Sequence, residues 1–191
     1  MAVKSNFASG EVLTASDVNT YLTNGGLVYI TSAAWSSGGS VSINNCFSST
    51  YRSYRIVVTN AKHATTSSNL NLRMRVGGVD KGTDSYYYGR NYISMGGASG
   101  GYTGGSNAAE IQPGIVATTT NGGSGVIDIH NPFATEPTTC TYQAIWPLTT
   151  GETSQGSGFL NNSTSYDGFS LIASSGNLTG LNILVFGYRQ P

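Results

Sequence analysis

Charge is what this chain has least of. Nine Lys or Arg and nine Asp or Glu make up 9% of its 191 residues, against about 25% in ordinary soluble domains. A surface with so little charge is built from Ser, Thr, Asn and Gly, which excludes the dense basic stripe of a duplex-binding protein. Long apolar runs are missing too: nothing approaches the roughly 18 consecutive apolar residues of a membrane-spanning helix. No charged segment followed by an apolar run opens the chain in the manner of a secretion signal. These absences predict no nucleic-acid partner, no membrane insertion and synthesis in a cytoplasm.

Cysteine and histidine are equally scarce. Cys46 and Cys140 have no CxxC spacing and no secretory context, which predicts buried free thiols, with a disulfide as the alternative. His63 and His130 are the only histidines, and they lack the spacing that metal sites use. Asp80, Asp84 and Asp167 form no EF-hand-like run. The expectation is therefore no metal and no cofactor.

What the chain does have is 38% hydrophobic content with 12 Tyr and 6 Phe, enough apolar surface to offset chain entropy and oppose disorder. Its charges are unevenly placed. Residues 1–90 carry eight basic against four acidic side chains, and residues 91–191 carry Arg189 alone against five acids. Head-to-tail alignment of subunits is one reading of that asymmetry, and scatter of few charges is the other.

Period-two patterning dominates from residue 26 onward. Leu70, Leu72, Met74 and Val76 alternate with Asn71, Arg73 and Arg75, predicting a half-buried strand that ends in a Gly77-Gly78 hairpin turn. The denser runs at 54–59 and 181–188 predict central strands covered on both faces. Segments 126–130 and 139–146 alternate, the latter placing Cys140, Tyr142, Ala144 and Trp146 on one face. Further strands are predicted at 26–31, 41–47, 86–95, 111–118 and 169–173. About ten short strands separated by Gly, Ser, Asn and Pro predict an all-β fold, an antiparallel β-sandwich of jelly-roll type spanning residues 27–191. Gly96 to Asn107 and Thr149 to Ser165 break the rhythm and read as long loops at one end of the sandwich, where binding residues tend to lie.

Catalytic patterns are weak. Gly97-Ala98-Ser99-Gly100-Gly101 spells a nucleophile elbow, but no helix follows it. Glu110, Asp128, Glu136, Glu152 and Asp167 could pair in space for glycoside hydrolysis, yet none has a telling context. The expectation is a protein that is not an enzyme. The better cluster is Tyr86, Tyr87, Tyr88, Tyr92 and Tyr102. On a strand Tyr86 and Tyr88 share a face and Tyr87 takes the other, so only some can be core. The exposed ones suit a subunit seam, with a receptor contact as the alternative.

One segment reads as helix. Thr14 can cap it, Asp17 stands three residues on, and Leu13 with Val18 can form a hydrophobic staple. Ala15, Val18, Tyr21 and Leu22 then share a face before Asn24-Gly25-Gly26 ends the helix, giving a short N-terminal arm over residues 1–26 with its helix at about 14–24. A helix this short needs a packing partner, within its own domain or on another subunit. Leu13, Val18, Tyr21 and Leu22 are the predicted attachment residues.

The motif GEVLTASDVNTYLTNGG, Gly10 to Gly26, resembles the opening of small bacteriophage virion proteins of the tail-fibre-like and virion-associated kind. Ile127-Asp128-Ile129-His130-Asn131-Pro132 and Val185-Phe186-Gly187-Tyr188-Arg189 are similar to later strands of that family. The resemblance implies a structural protein of the virion, attached by its arm to other virion proteins and assembled as a homo-oligomer, a trimer by analogy. A tail-fibre or tail-associated receptor-binding module facing a host glycan or protein comes first. A capsid decoration or cement protein is the alternative, and a virion-borne glycan hydrolase a distant third.

Overall fold

The computed structural model describes residues 26–65, 67–82, 85–97, 99–147 and 151–189. The helix expected at about 14–24, with Leu13, Val18, Tyr21 and Leu22, lies outside the described residues.

Among the described residues thirteen strands follow one another: β1 (Leu27–Trp35), β2 (Ser40–Ile43), β3 (Ser53–His63), β4 (Ser68–Val76), β5 (Val79–Asp80), β6 (Tyr86–Ser94), β7 (Gly100–Ala108), β8 (Val116–Ala117), β9 (Gly123–His130), β10 (Thr139–Ile145), β11 (Glu152–Leu160), β12 (Gly168–Ala173) and β13 (Leu178–Tyr188). They form two antiparallel sheets. The larger has eight strands in the order β1-β13-β3-β9-β10-β11-β6-β7, and the smaller runs β2-β12-β4-β5 with β8 pairing to β4. The fold is a β-sandwich, as the alternating pattern predicts.

The core lies between the sheets. Leu70, Leu72 and Met74 of β4 and Phe169 and Leu171 of β12 pack in one cluster with Tyr54, Ile56 and Val58 of β3, Ile127 and Ile129 of β9, and Ile183 and Val185 of β13. The Gly77-Gly78 turn forms as expected, both residues at positive φ (56° and 81°), joining Val76 to its partner Val79. That is the backbone a two-residue hairpin requires.

Four sequence expectations are corrected. The supposed loops at 96–107 and 149–165 contain β7 and β11, two full nine-residue strands. Their glycines hid the alternation: at Gly101 and Gly105 of β7 and Gly156 of β11 the inner space is filled by a tyrosine ring from the neighbouring strand. The strands β3 and β13 are central but covered on one face only: their buried positions alternate with half-exposed or exposed ones, Leu184 among the latter. Conversely β4 is not half-buried. Asn71 and Arg75, on its polar side, are buried, while Val76 at its end is exposed. The Arg75 guanidinium satisfies itself there, donating to Asn44 Oδ1 (2.8 Å), Ser42 Oγ (2.9 Å), Ser170 Oγ (2.8 Å), the Asp80 carboxylate and the Gly78 carbonyl. Finally, 111–118 is mostly irregular, with only the two-residue β8.

Candidate functional site: a transverse trough on the large sheet

Among the described residues, the outer face of the eight-stranded sheet has no second sheet over it, and the strand register sorts its side chains into rows that cross the strands. Gln143 of β10 stands opposite Gln155 of β11, Gln155 opposite Asn91 of β6, and Asn91 opposite Tyr102 of β7. Two residues along, the next row on the same face is Thr141, Ser157, Gly89 and Gly104. Two further along come Thr139, Phe159 and Tyr87.

The middle row is the low one, being two hydroxyl residues and two glycines. It therefore forms the floor of a trough, walled on one side by amides and a tyrosine and on the other by aromatic rings. Tyr87 and Phe159 stack nearly parallel, centroids 4.9 Å apart at 10°, and the Tyr87 hydroxyl donates to Asn107 Oδ1. The hollow over Gly89, Gln143, Gln155 and Tyr102 has a volume of about 950 Å³ and adjoins one of about 560 Å³ along Tyr87 and Phe159.

An ion pair closes the end of the trough at β9. Asp128, which faces Thr141 on one side and Arg55 of β3 on the other, accepts two parallel hydrogen bonds from that arginine, Nε to Oδ1 at 2.8 Å and Nη2 to Oδ2 at 2.7 Å. Tyr188 donates its hydroxyl to the same carboxylate at 2.8 Å, and the Arg55 guanidinium lies over the Tyr188 ring, 5.5 Å from its centroid. Burial by itself would raise the Asp128 pKa. The bonds from Arg55 and Tyr188, with the arginine charge, outweigh it and hold the carboxyl below its usual range.

The five candidate tyrosines divide between the two faces. Tyr86 is fully buried, donating to the Lys81 carbonyl at 2.8 Å and accepting from the Met74 amide at 2.9 Å; burial pushes its pKa up. Tyr88 packs against the core, and Tyr92 lies on the same side of β6, beneath Arg90 at 5.8 Å. Only Tyr87 and Tyr102 reach the trough. Tyr102 is 86% exposed in mid-strand.

Gln143, Gln155, Asn91, Thr141, Ser157 and Gly89 were not singled out by sequence. The outward positions of the 139–146 alternation signalled Thr141 and Gln143. Nothing signalled the others, because β11 shows no apolar alternation and Gly89 reads as a breaker.

Compared with protein-family models, curated proteins and solved structures, the chain has no match.

Several of the remaining candidates have local partners. Glu110 pairs with Arg73 at 3.1 Å and Glu136 with Arg52 at 3.4 Å, while Asp167 Oδ2 accepts the Gly77 amide at 2.8 Å. Ser99 of the elbow pattern sits in the turn between β6 and β7, its carbonyl accepting the Ser94 amide at 2.8 Å, so the strand is followed by another strand and not by a helix. His130 bonds through Nδ1 to the Ser53 hydroxyl at 3.0 Å. His63 Nε2 meets the Ser175 carbonyl at 2.7 Å. Among the described residues no group of three or more His, Cys, Asp or Glu could hold a metal ion. No helix among them is long and apolar enough to cross a membrane. Cys46 and Cys140 are both buried and free.

Proposed function

We propose that this chain is a bacteriophage virion protein, a tail-fibre or tail-associated receptor-binding module whose β-sandwich presents the outer face of its large sheet to a partner while the segment before residue 27 holds it on the particle. The virion assignment is supported by the GEVLTA-x-DVN-x-YL segment. The contact role is supported by the open sheet face itself. The observation that carries it is the trough, walled by Tyr102 at 86% exposure, with Ile93 at 63% on the same face near the end of β6. Large side chains held out on a rigid, nearly uncharged sheet are the chemistry of recognition surfaces.

The same resemblance makes a homotrimer the expected assembly. Adsorption competition tests the role: recombinant full-length protein, added before phage, should bind host cells and slow phage adsorption. Protein that is folded yet neither binds nor competes would contradict a receptor-binding role.

A further inference from the structure

We infer that the trough is a carbohydrate site that takes a short, uncharged oligosaccharide laid across β10, β11, β6 and β7. This rests on the reading of the domain as a receptor-contact module and goes further, naming the ligand class and the residues that hold it.

Gly89 is the first argument. Most glycines of the neighbouring strands have an internal reason to be glycine: a Cβ at Gly101, Gly105 or Gly156 would stand 2.5 to 2.6 Å from the tyrosine beside it. A Cβ at Gly89 would meet nothing within 4 Å, and its φ is not positive. A glycine inside a strand costs about 0.5–1 kcal/mol relative to alanine, and nothing within the sandwich requires this one. A bare backbone at mid-strand with open space above it is what close approach of a ligand needs.

The walls say what kind of ligand. Gln143, Gln155 and Asn91 each offer an amide donor and an amide acceptor, and Thr141 and Ser157 add hydroxyls on the floor. Paired donors and acceptors without charge match the hydroxyl groups of a sugar. The stacked Tyr87 and Phe159 rings across the trough match the apolar C–H face that a sugar also carries.

Charge narrows the class. Arg55 and Asp128 neutralise each other through their paired bonds, and Arg90 lies on the opposite side of β6 with Tyr92. Among the described residues, an anionic ligand would find no unpaired cation in the trough.

Geometry argues against a peptide. Peptides that join sheets do so at an edge, through free backbone groups. Here the trough lies across the outer face of the strands, and over β10, β11 and β6 the ladder already uses those groups on both sides; it reaches an edge only at its β7 end. From β10 to β7 it runs roughly 14 Å, three inter-strand spacings, which suits a short oligosaccharide.

The test uses the full-length protein on a printed array of bacterial surface polysaccharides and oligosaccharides, neutral and acidic, together with host cells treated with periodate or with protease. Wild type should bind at least one neutral glycan. Gly89→Val should keep its thermal unfolding midpoint, because its side chain enters open space, yet bind at least tenfold more weakly. Gln155→Ala and Tyr102→Ala should also weaken binding, while Val79→Ala, at the exposed β4–β5 turn, should not. Binding to cells should be lost on periodate treatment and kept after protease. Binding to no arrayed glycan, binding to acidic glycans alone, or unchanged binding by Gly89→Val would overturn the inference. Cell binding that protease abolishes and periodate spares would overturn the sugar and leave the receptor-contact reading standing. No cell binding by wild type would instead remove that reading.

Discussion

Tyr92 of β6 stands directly opposite Gly101 of β7, its ring so close over the glycine that a Cβ there would lie 2.5 Å from the phenolic oxygen and 2.7 Å from Cζ. Tyr88 over Gly105 repeats the arrangement in the same hairpin, and Tyr142 over Gly156 repeats it between β10 and β11. In each pair the ring covers a residue that has no side chain to bury. Two glycine-rich segments thereby become ordinary strands, by the cross-strand covering of glycine that aromatic residues provide.

Gly101→Ala should therefore destabilise the fold by about 1–2 kcal/mol through overpacking against the ring. In a Tyr92→Ala background the penalty should vanish or reverse, since alanine is otherwise the better strand residue. Urea unfolding of the four proteins in this cycle gives the coupling. Additive effects would show that ring and glycine do not depend on each other.

The two kinds of arginine pair should separate clearly. Arg75 is 9% exposed and bonds to two serines, an asparagine, a carboxylate and a carbonyl, so Arg75→Ala should cost about 3 kcal/mol by stranding those partners. The Arg52–Glu136 pair is more than half exposed on both sides, and Arg52→Ala should cost at most about 0.5 kcal/mol. Equal effects in chemical denaturation would contradict this ranking.

Acid sensitivity follows from Asp128. Burial raises its pKa, but the bonds from Arg55 and Tyr188 and the arginine charge prevail, so the folded value lies below the unfolded one. Such a group stabilises the fold above its unfolded pKa of about 4, and that stability is lost as pH falls through the folded value. Asp128→Asn should lower stability at pH 7 by about 1–2 kcal/mol and flatten the decline in stability below pH 4. An unchanged acid limb in thermal unfolding would assign the decline to other carboxylates.

Burial pushes the Cys46 and Cys140 thiols up to about 12. Since the thiolate is the reactive form, the native protein at pH 8 should resist thiol reagents, and guanidinium-unfolded protein should release two titratable thiols. Rapid native labelling, or fewer than two thiols after unfolding, would contradict buried free cysteines.

Much of the sandwich was legible wherever burial is one-sided and the buried side chains are apolar. The 139–146 alternation placed Cys140, Tyr142 and Ala144 inside, and Gly77-Gly78 marked its turn. The pattern failed where the inner side of a strand is glycine covered by a ring from the next strand, as in β7 and β11, because hydrophobic periodicity counts a strand's own side chains. It failed in the opposite sense at β4, where Asn71 and Arg75 look solvent-facing by type but are buried in a polar network. The trough was hardest to foresee. Tyr87 and Tyr102 were visible as aromatics, whereas its floor at Gly89 and its wall at Gln155 depend on strand register, and register is set by pairing between distant segments.

The copy number of this protein in purified virions, quantified on a gel against the major capsid protein, tests the account most directly. A tail-associated receptor-binding module should be present at a small fraction of the capsid count. Hundreds of copies per particle would contradict the tail assignment in favour of a capsid decoration protein, and absence from the particle would contradict the virion assignment itself.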